Sequence, residues 1–188
     1  MNRHKKLAQY AEGRTLDVGY KSHPNPYLPK PMGMDIEPGE KPTWYSAVCQ
    51  GNAMRIPFKA QSFDTIVAGE IIEHVDNLSE FFKDCYRVLK EKGRFVISTP
   101  NSSSFIVVLG NWLGVRVPHN HRNEYSKRII GLIAKYNGFR KERFVGLSSP
   151  FFLVPKLRHR GFLRIPLWLL PLCHKILYVF EKVSTAEP

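Results

Sequence analysis

The residues able to do chemistry fall in four short stretches. Gly69 to Asp76 (GEIIEHVD) sets His74 among carboxylates, a mixture suited to proton transfer if a fold holds it at a cleft. Arg14-Thr15-Leu16-Asp17-Val18-Gly19 reads as a strand ending in a glycine turn, where a bare backbone lets a ligand come close. Asp35, at the end of a second such run, follows Asp17 at roughly the 20-residue spacing at which a doubly wound fold places its ribose-binding acid. A carboxylate suits that task because it accepts from both ribose hydroxyls and has no proton of its own to compete. Glu37 is the second choice for the role. The fourth stretch, His119-Asn120-His121-Arg122-Asn123-Glu124-Tyr125, puts two histidines near a glutamate. It offers no third ligand, so it reads as a polar loop rather than a metal centre, and no metal site is expected. His74, His119, His121 and Tyr125 are the candidate bases.

Positioning these groups is the work of a strand–loop–helix–strand unit between Gly51 and Asn101. Thr65-Ile66-Val67-Ala68 is a β-branched apolar run of the kind found in a buried parallel strand. After the Gly69–Asp76 loop, Leu78, Phe81, Phe82, Cys85, Val88 and Leu89 recur at helical spacing. Lys90, Lys92 and Gly93 predict the end of that helix, and Phe95-Val96-Ile97 the next strand. A right-handed crossover brings the loops of such a unit to one edge of the sheet.

The same stretch carries a resemblance. Asn52-Ala53, Ile56-Pro57-Phe58, Ser62-Phe63-Asp64, Glu73-His74-Val75, Gly93 and Pro100-Asn101 resemble, in order and spacing, the D-A-x-x-L-P-F-x-x-x-S-F-D, E-H-V and G-x-x-x-x-x-x-P-N pattern of the class I S-adenosylmethionine-dependent methyltransferases, type 11 group. The resemblance implies a Rossmann-like α/β fold: a seven-stranded, mostly parallel sheet whose last strand is antiparallel. It implies S-adenosylmethionine as cofactor, S-adenosylhomocysteine as product, and attack of an acceptor nucleophile on the sulfonium methyl group. Carried over residue by residue, Asp17 and Gly19 fall at the methionine end of the cofactor, Asp35 and Ile36 at the ribose, Asn52 and Ala53 at the adenine. Glu70 and Ile71 fall beside adenine and sulfonium, with His74 either at the substrate mouth or capping and packing a helix.

Two departures stand out. Leu16-Asp17-Val18-Gly19 fits the first half of the family's L-D-x-G-x-G-x-G, but Tyr20-Lys21-Ser22-His23-Pro24-Asn25-Pro26 lacks the later glycines and resembles a G-x-x-x-N-P-Y variant. Asparagine also stands at position 52 where the family has aspartate; its amide still accepts from an amino group, with less electrostatic help. Ala68-Gly69-Glu70-Ile71 replaces the N-P-P-Y type sequence of amide- and adenine-N-methylating relatives, which argues against those substrates. No helical period separates the first strand from the second or the second from Trp44–Gln50. The crossover helices there are expected to be trimmed, leaving a sheet face for the C-terminal segment or a partner to cover.

The chain's 188 residues fit one domain, 1–188, long enough to bury about 70% of its unfolded surface. A hydrophobic content of 43% excludes global disorder. Three scattered cysteines (Cys49, Cys85, Cys173), no CxxC pair and a start without a signal-peptide core point to a reducing, cytoplasmic setting. The net charge of +12, from 28 basic against 16 acidic residues, is dense between Lys127 and Arg164. It suits RNA, an anionic membrane surface or an acidic substrate, or is simply a basic surface. Ile129 to Tyr136 predicts a helix; Arg143–Leu147 and Ile176–Lys182 predict the closing antiparallel hairpin. Between them an apolar and basic insertion, about 148–174 with Trp168, reads as a cap on the sheet, a homodimer contact or a membrane-interface segment. The reading that fits best is a methyltransferase with a small-molecule acceptor. A non-catalytic scaffold that keeps the fold, and a basic RNA-binding module, stand as alternatives.

Overall fold

The computed structural model describes residues 2–37, 39–101, 112, 123, 125–148, 163–165 and 175–184. A short helix α1 (Arg3–Ala8) precedes the strands β1 (Thr15–Val18), β2 (Met32–Asp35), β3 (Ala47–Gln50) and β4 (Phe63–Gly69). Then follow α2 (Leu78–Val88), β5 (Leu89–Pro100), α3 (Lys127–Tyr136), β6 (Phe139–Ser148), β7 (Leu163–Ile165) and β8 (Lys175–Lys182). The sheet runs β3-β2-β1-β4-β5-β8-β6-β7. The first five strands are mutually parallel, and β8 enters antiparallel between β5 and β6. The seven strands expected from the sequence are therefore present. An eighth, the three-residue β7, extends the edge antiparallel to β6 and lies inside the 148–174 insertion. The rest of that insertion after Ser148, including Trp168, lies outside the described residues.

Aromatic packing holds α2 to the sheet. Asn77 caps the helix by accepting from Glu80 N–H at 3.2 Å. The face of Leu78, Phe81, Phe82, Cys85 and Val88 is then fully buried. Phe82 meets Phe95 at 5.0 Å, Phe139 at 5.9 Å and Phe180 at 5.9 Å between ring centres, all steeply tilted. Such edge-to-face pairs are each worth about 0.5–1.5 kcal/mol beyond the area they bury. The helix ends at Val88, not at Gly93. Leu89 is fully buried opposite Phe63 and opens β5, while Lys90 reaches back to Asp64 Oδ1 at 2.8 Å.

The β1–β2 and β2–β3 connections contain no helix among the described residues, as the absence of a helical period predicts. Part of the second sheet face is covered from the N-terminal side. Leu7 of α1 and Leu28 of the first connection are buried against Val67, Val96, Leu177 and Val179. The N-terminal helix and the proline-rich loop thus shelter part of the face assigned to the C-terminal segment or a partner. No helix among the described residues is long and apolar enough to cross a membrane.

Candidate active site

Parallel strands leave their carboxyl ends at one edge, and the loops after β1, β2, β3 and β4 enclose a cavity there of about 490 Å³. Gly19 contributes from β1, Asp35 and Ile36 from β2, Asn52 and Ala53 from β3, and Glu70, Ile71 and His74 from β4. Residues dispersed over most of the first half of the chain are gathered around one space because consecutive crossovers all return to this edge.

Each wall has a local cause. Gly19 sits at φ +79°, a left-handed conformation, and its N–H donates to Met34 O at 2.7 Å. The Asp35 carboxylate is oriented by two backbone donors: Lys21 N–H to Oδ2 at 3.1 Å and Glu37 N–H to Oδ1 at 3.3 Å. Asn52 Oδ1 accepts from Met54 N–H at 2.9 Å, forming a tight Asx turn. Arg87 of α2 fastens the following segment by donating to Phe58 O at 2.7 Å and Ile56 O at 2.8 Å while pairing with Asp84. The Ile56-Pro57-Phe58 motif is the strap that anchors the loop bearing Asn52 and Ala53.

Asp17 takes a different place. It is 5% exposed, beneath the floor and off the main cavity's lining. Its Oδ2 accepts from the Tyr45 hydroxyl, and that hydroxyl accepts from Asn25 N–H at 3.0 Å. Asn25 Nδ2 in turn donates to His4 O at 3.1 Å. This chain of bonds ties α1, the proline-rich loop and the β3 approach to β1, so the loop after Gly19 is pinned without the family's further glycines. Burial pushes the Asp17 carboxyl up to about 7, against the opposing pull of the Tyr45 bond.

The loop after β4 is the most charged wall. Glu70 adopts φ +62°, which a non-glycine residue takes only under constraint. Its carboxylate forms ion pairs with Arg3 of α1 at 3.0 Å and with Lys175 of β8. Burial pushes Glu70 up, but Lys175 and Arg3 outweigh that and hold it below the usual range. Glu73 lines the same cavity, is 2% exposed, and among the described residues has no hydrogen-bond partner on either oxygen beyond its own main chain. Burial, with the Glu70 charge adding to it, pushes Glu73 up to about 7. Tyr125 stands off the cavity lining, half-buried against the core. Its hydroxyl is pushed up by burial and then by the charge of Asp76. His119 and His121 lie outside the described residues. Among the described residues no cluster of three metal-ligating side chains occurs.

Ser22, His23, Met54, Glu73, Val75 and Asp76 also line the cavity without having been singled out for it. The signal for Glu73 and Asp76 lay in the Gly69–Asp76 loop itself.

Comparison with known proteins bears on the fold. Residues 31–97 match the type 11 methyltransferase-domain family. The mitochondrial ubiquinone biosynthesis O-methyltransferase of Rattus norvegicus is 47% identical over 76 residues, covering 40% of this chain and 19% of that protein. A probable S-adenosylmethionine-dependent methyltransferase of Mycolicibacterium smegmatis is 38% identical over 55 residues, 29% of this chain and 21% of that one. This chain thus spans about a fifth of the length of these curated relatives. A solved Thermotoga maritima methyltransferase, described as a possible histamine N-methyltransferase, superposes with a TM-score of 0.68 at 17% identity over 96% of this chain and 87% of its own. The chain shares the fold of the solved S-adenosylmethionine-dependent methyltransferases, and residues 31–97 carry the family match. A methyltransferase of Bacillus halodurans shares the fold as well, at TM-score 0.64 and 17% identity over 97% of this chain and 99% of that one.

The cofactor of this family is S-adenosylmethionine, and the residues present fit it. The cavity has the capacity of a nucleoside-sized ligand. Its lining carries the carboxyls of Asp35, Glu73 and Asp76 besides the ion-paired Glu70, groups of the sign that suits a sulfonium cation. The bare Cα of Gly19 keeps the floor open where a side chain would not fit. Asp35 would hold the ribose, Asn52 and Ala53 the adenine, and Gly19 the methionine end.

Proposed function

We propose that this chain is an S-adenosylmethionine-dependent methyltransferase acting on a small-molecule acceptor. The observation that carries the reading is the acid-lined cavity at the carboxyl ends of β1 to β4, with the oriented Asp35 carboxylate on one wall and the left-handed Gly19 on its floor. The cofactor, when bound, supplies an electrophilic methyl group. The chain's own residues hold the two reactants against one another, an arrangement that removes several kcal/mol from the barrier of a two-body reaction. The relatives' names support a small acceptor, since one is a ubiquinone-pathway enzyme and another a possible histamine methyltransferase. The free Cys49 and Cys85 support a reducing, cytoplasmic compartment.

Calorimetric titration with S-adenosylhomocysteine tests the reading. Micromolar binding by the wild type, lost on Asp35→Ala, is the expected result. A folded protein that shows no heat at millimolar ligand would be a scaffold that keeps the fold without the cofactor.

A further inference from the structure

Among the described residues, the fold answers every buried carboxylate around the site except one. Asp17 accepts from Tyr45, and Glu70 pairs with Arg3 and Lys175. Glu73, in the 3₁₀ turn Ile72–His74, is as buried as the core, yet among the described residues neither of its oxygens has a hydrogen-bond partner beyond its own main chain. Its main chain is satisfied separately, the carbonyl accepting from Asn123 N–H at 3.1 Å. An unpartnered buried carboxylate is costly to keep. At the wall of a ligand cavity, a bound molecule can complete it.

We infer that Glu73 is the proton acceptor of the site, and that the group it serves is a phenolic or enolic hydroxyl, so that the methyl group is transferred to oxygen. This rests on the methyltransferase reading above. A hydroxyl oxygen must shed its proton as it takes up a methyl group, whereas an amine attacks with its lone pair and sheds a proton afterwards. In the hydroxyl case an O–C bond forms, the C–S bond breaks with its electrons left on sulfur, and the hydroxyl proton passes to a Glu73 oxygen. Sulfonium cation and carboxylate anion are thereby neutralised in one step, which a surrounding of low dielectric favours. The proton then leaves to water, restoring the carboxylate.

The surroundings of Glu73 suit a base. Burial, and then Glu70 from the same loop, raise its proton affinity; its own backbone N–H, Lys175 of β8 and Arg3 of α1 lower it. The balance lies near neutrality, where a base is both deprotonated often enough and strong enough to act. A phenol, with a pKa of about 10 as in tyrosine, lies within reach of such a base, unlike an aliphatic alcohol.

The test compares wild type with Glu73→Gln in methyl transfer to 3,4-dihydroxybenzoate, a phenolic probe, and to histamine, an amine probe. S-adenosylhomocysteine calorimetry and carbon-13 NMR titration of glutamate carboxyls run alongside. The expected result is unchanged S-adenosylhomocysteine affinity and a kcat on the phenol reduced at least about 100-fold, the scale of general base catalysis, with KM little altered. One carboxyl resonance titrating near pH 7 should be missing from the variant, and formate should restore part of the activity of Glu73→Ala. Wild-type turnover of the phenol by a folded Glu73→Gln overturns the inference, as does methylation of the amine alone or of neither probe by a wild type that binds S-adenosylhomocysteine. A wild type that fails to bind S-adenosylhomocysteine overturns the methyltransferase reading itself, and the two failures are told apart by that titration.

Discussion

Gly19 and Ile71 approach so closely that a Cβ on Gly19 would lie 1.9 Å from Ile71 Cδ1. The two residues follow β1 and β4, which pair directly in the sheet, so their loops share a floor. Gly19 therefore has two reasons to be glycine, its left-handed backbone and the side chain opposite. Gly19→Ala is expected to cost about 1–2 kcal/mol in backbone strain alone, a fall in Tm of roughly 2–8 °C for a domain of this size. It should also reduce S-adenosylhomocysteine affinity at least about tenfold, because Ile71 must move into the cavity. Adding Ile71→Ala relieves the clash and not the strain, so the double variant should regain affinity without regaining Tm. Calorimetry and thermal melts read the two effects separately, and equal recovery of both would refute this division.

Asp35→Ala removes a carboxylate whose two oxygens are aimed by Lys21 and Glu37 N–H groups. Loss of a charged hydrogen-bonding partner for the ribose should weaken S-adenosylhomocysteine binding about 10- to 100-fold, on the order of 1.5–3 kcal/mol. Asp35→Asn should fall between, since the amide keeps one acceptor. Affinity unchanged in a folded Asp35→Ala would remove this residue from the site.

The sequence made the strand–loop–helix–strand unit readable because its signals are local: a β-branched run for β4 and helical spacing from Leu78 to Val88. It misplaced the end of α2, since Lys90, Lys92 and Gly93 look like a helix terminus and only the pairing of Leu89 with Phe63 shows that a strand has begun. Gly19 and Asp35 stood out by a strand-end glycine and by spacing, and Asn52 through the resemblance alone. Asp17 looked the same and is not, because Tyr45, the partner that takes its side chain, is brought in by the fold. Glu73 reads in sequence as one more loop acid; its burial is a product of the fold and leaves no mark in the local sequence.

Asp17 and Glu73 together give stability an unusual pH dependence. Burial raises both folded-state pKa values to about 7, from 3.8 and 4.5. Between those limits the folded protein holds protons that the unfolded chain has released, so stability is greatest at the acid end and declines as pH rises through 7. Each group can contribute on the order of 3 kcal/mol to that decline. Glu70 is shifted the opposite way and acts below its ordinary range, outside this window. Urea unfolding at pH 5, 6, 7 and 8 should show the wild type losing stability across the series. Asp17→Asn, which keeps an oxygen for the Tyr45 hydroxyl, should flatten the curve. A wild type equally stable at pH 5 and pH 8 would contradict the assignment.

Arg3 links the N-terminal helix to the site. α1 has six residues, too few to persist alone, and it is held by Leu7 packing toward Gly69 and by the Arg3–Glu70 ion pair. Removing one partner of this largely buried pair leaves Glu70 to Lys175, so Arg3→Met should cost about 1–3 kcal/mol rather than the full penalty of an orphaned charge. The loss should appear first as faster amide exchange in residues 3–8, with β4 and β5 still protected. Lys175→Met should have a similar modest effect. The double variant should exceed the sum of the two, because only then does Glu70 stand buried and unanswered at its strained φ. Additive losses would mean that Glu70 reaches water on its own, and that α1 is held by Leu7 rather than by charge.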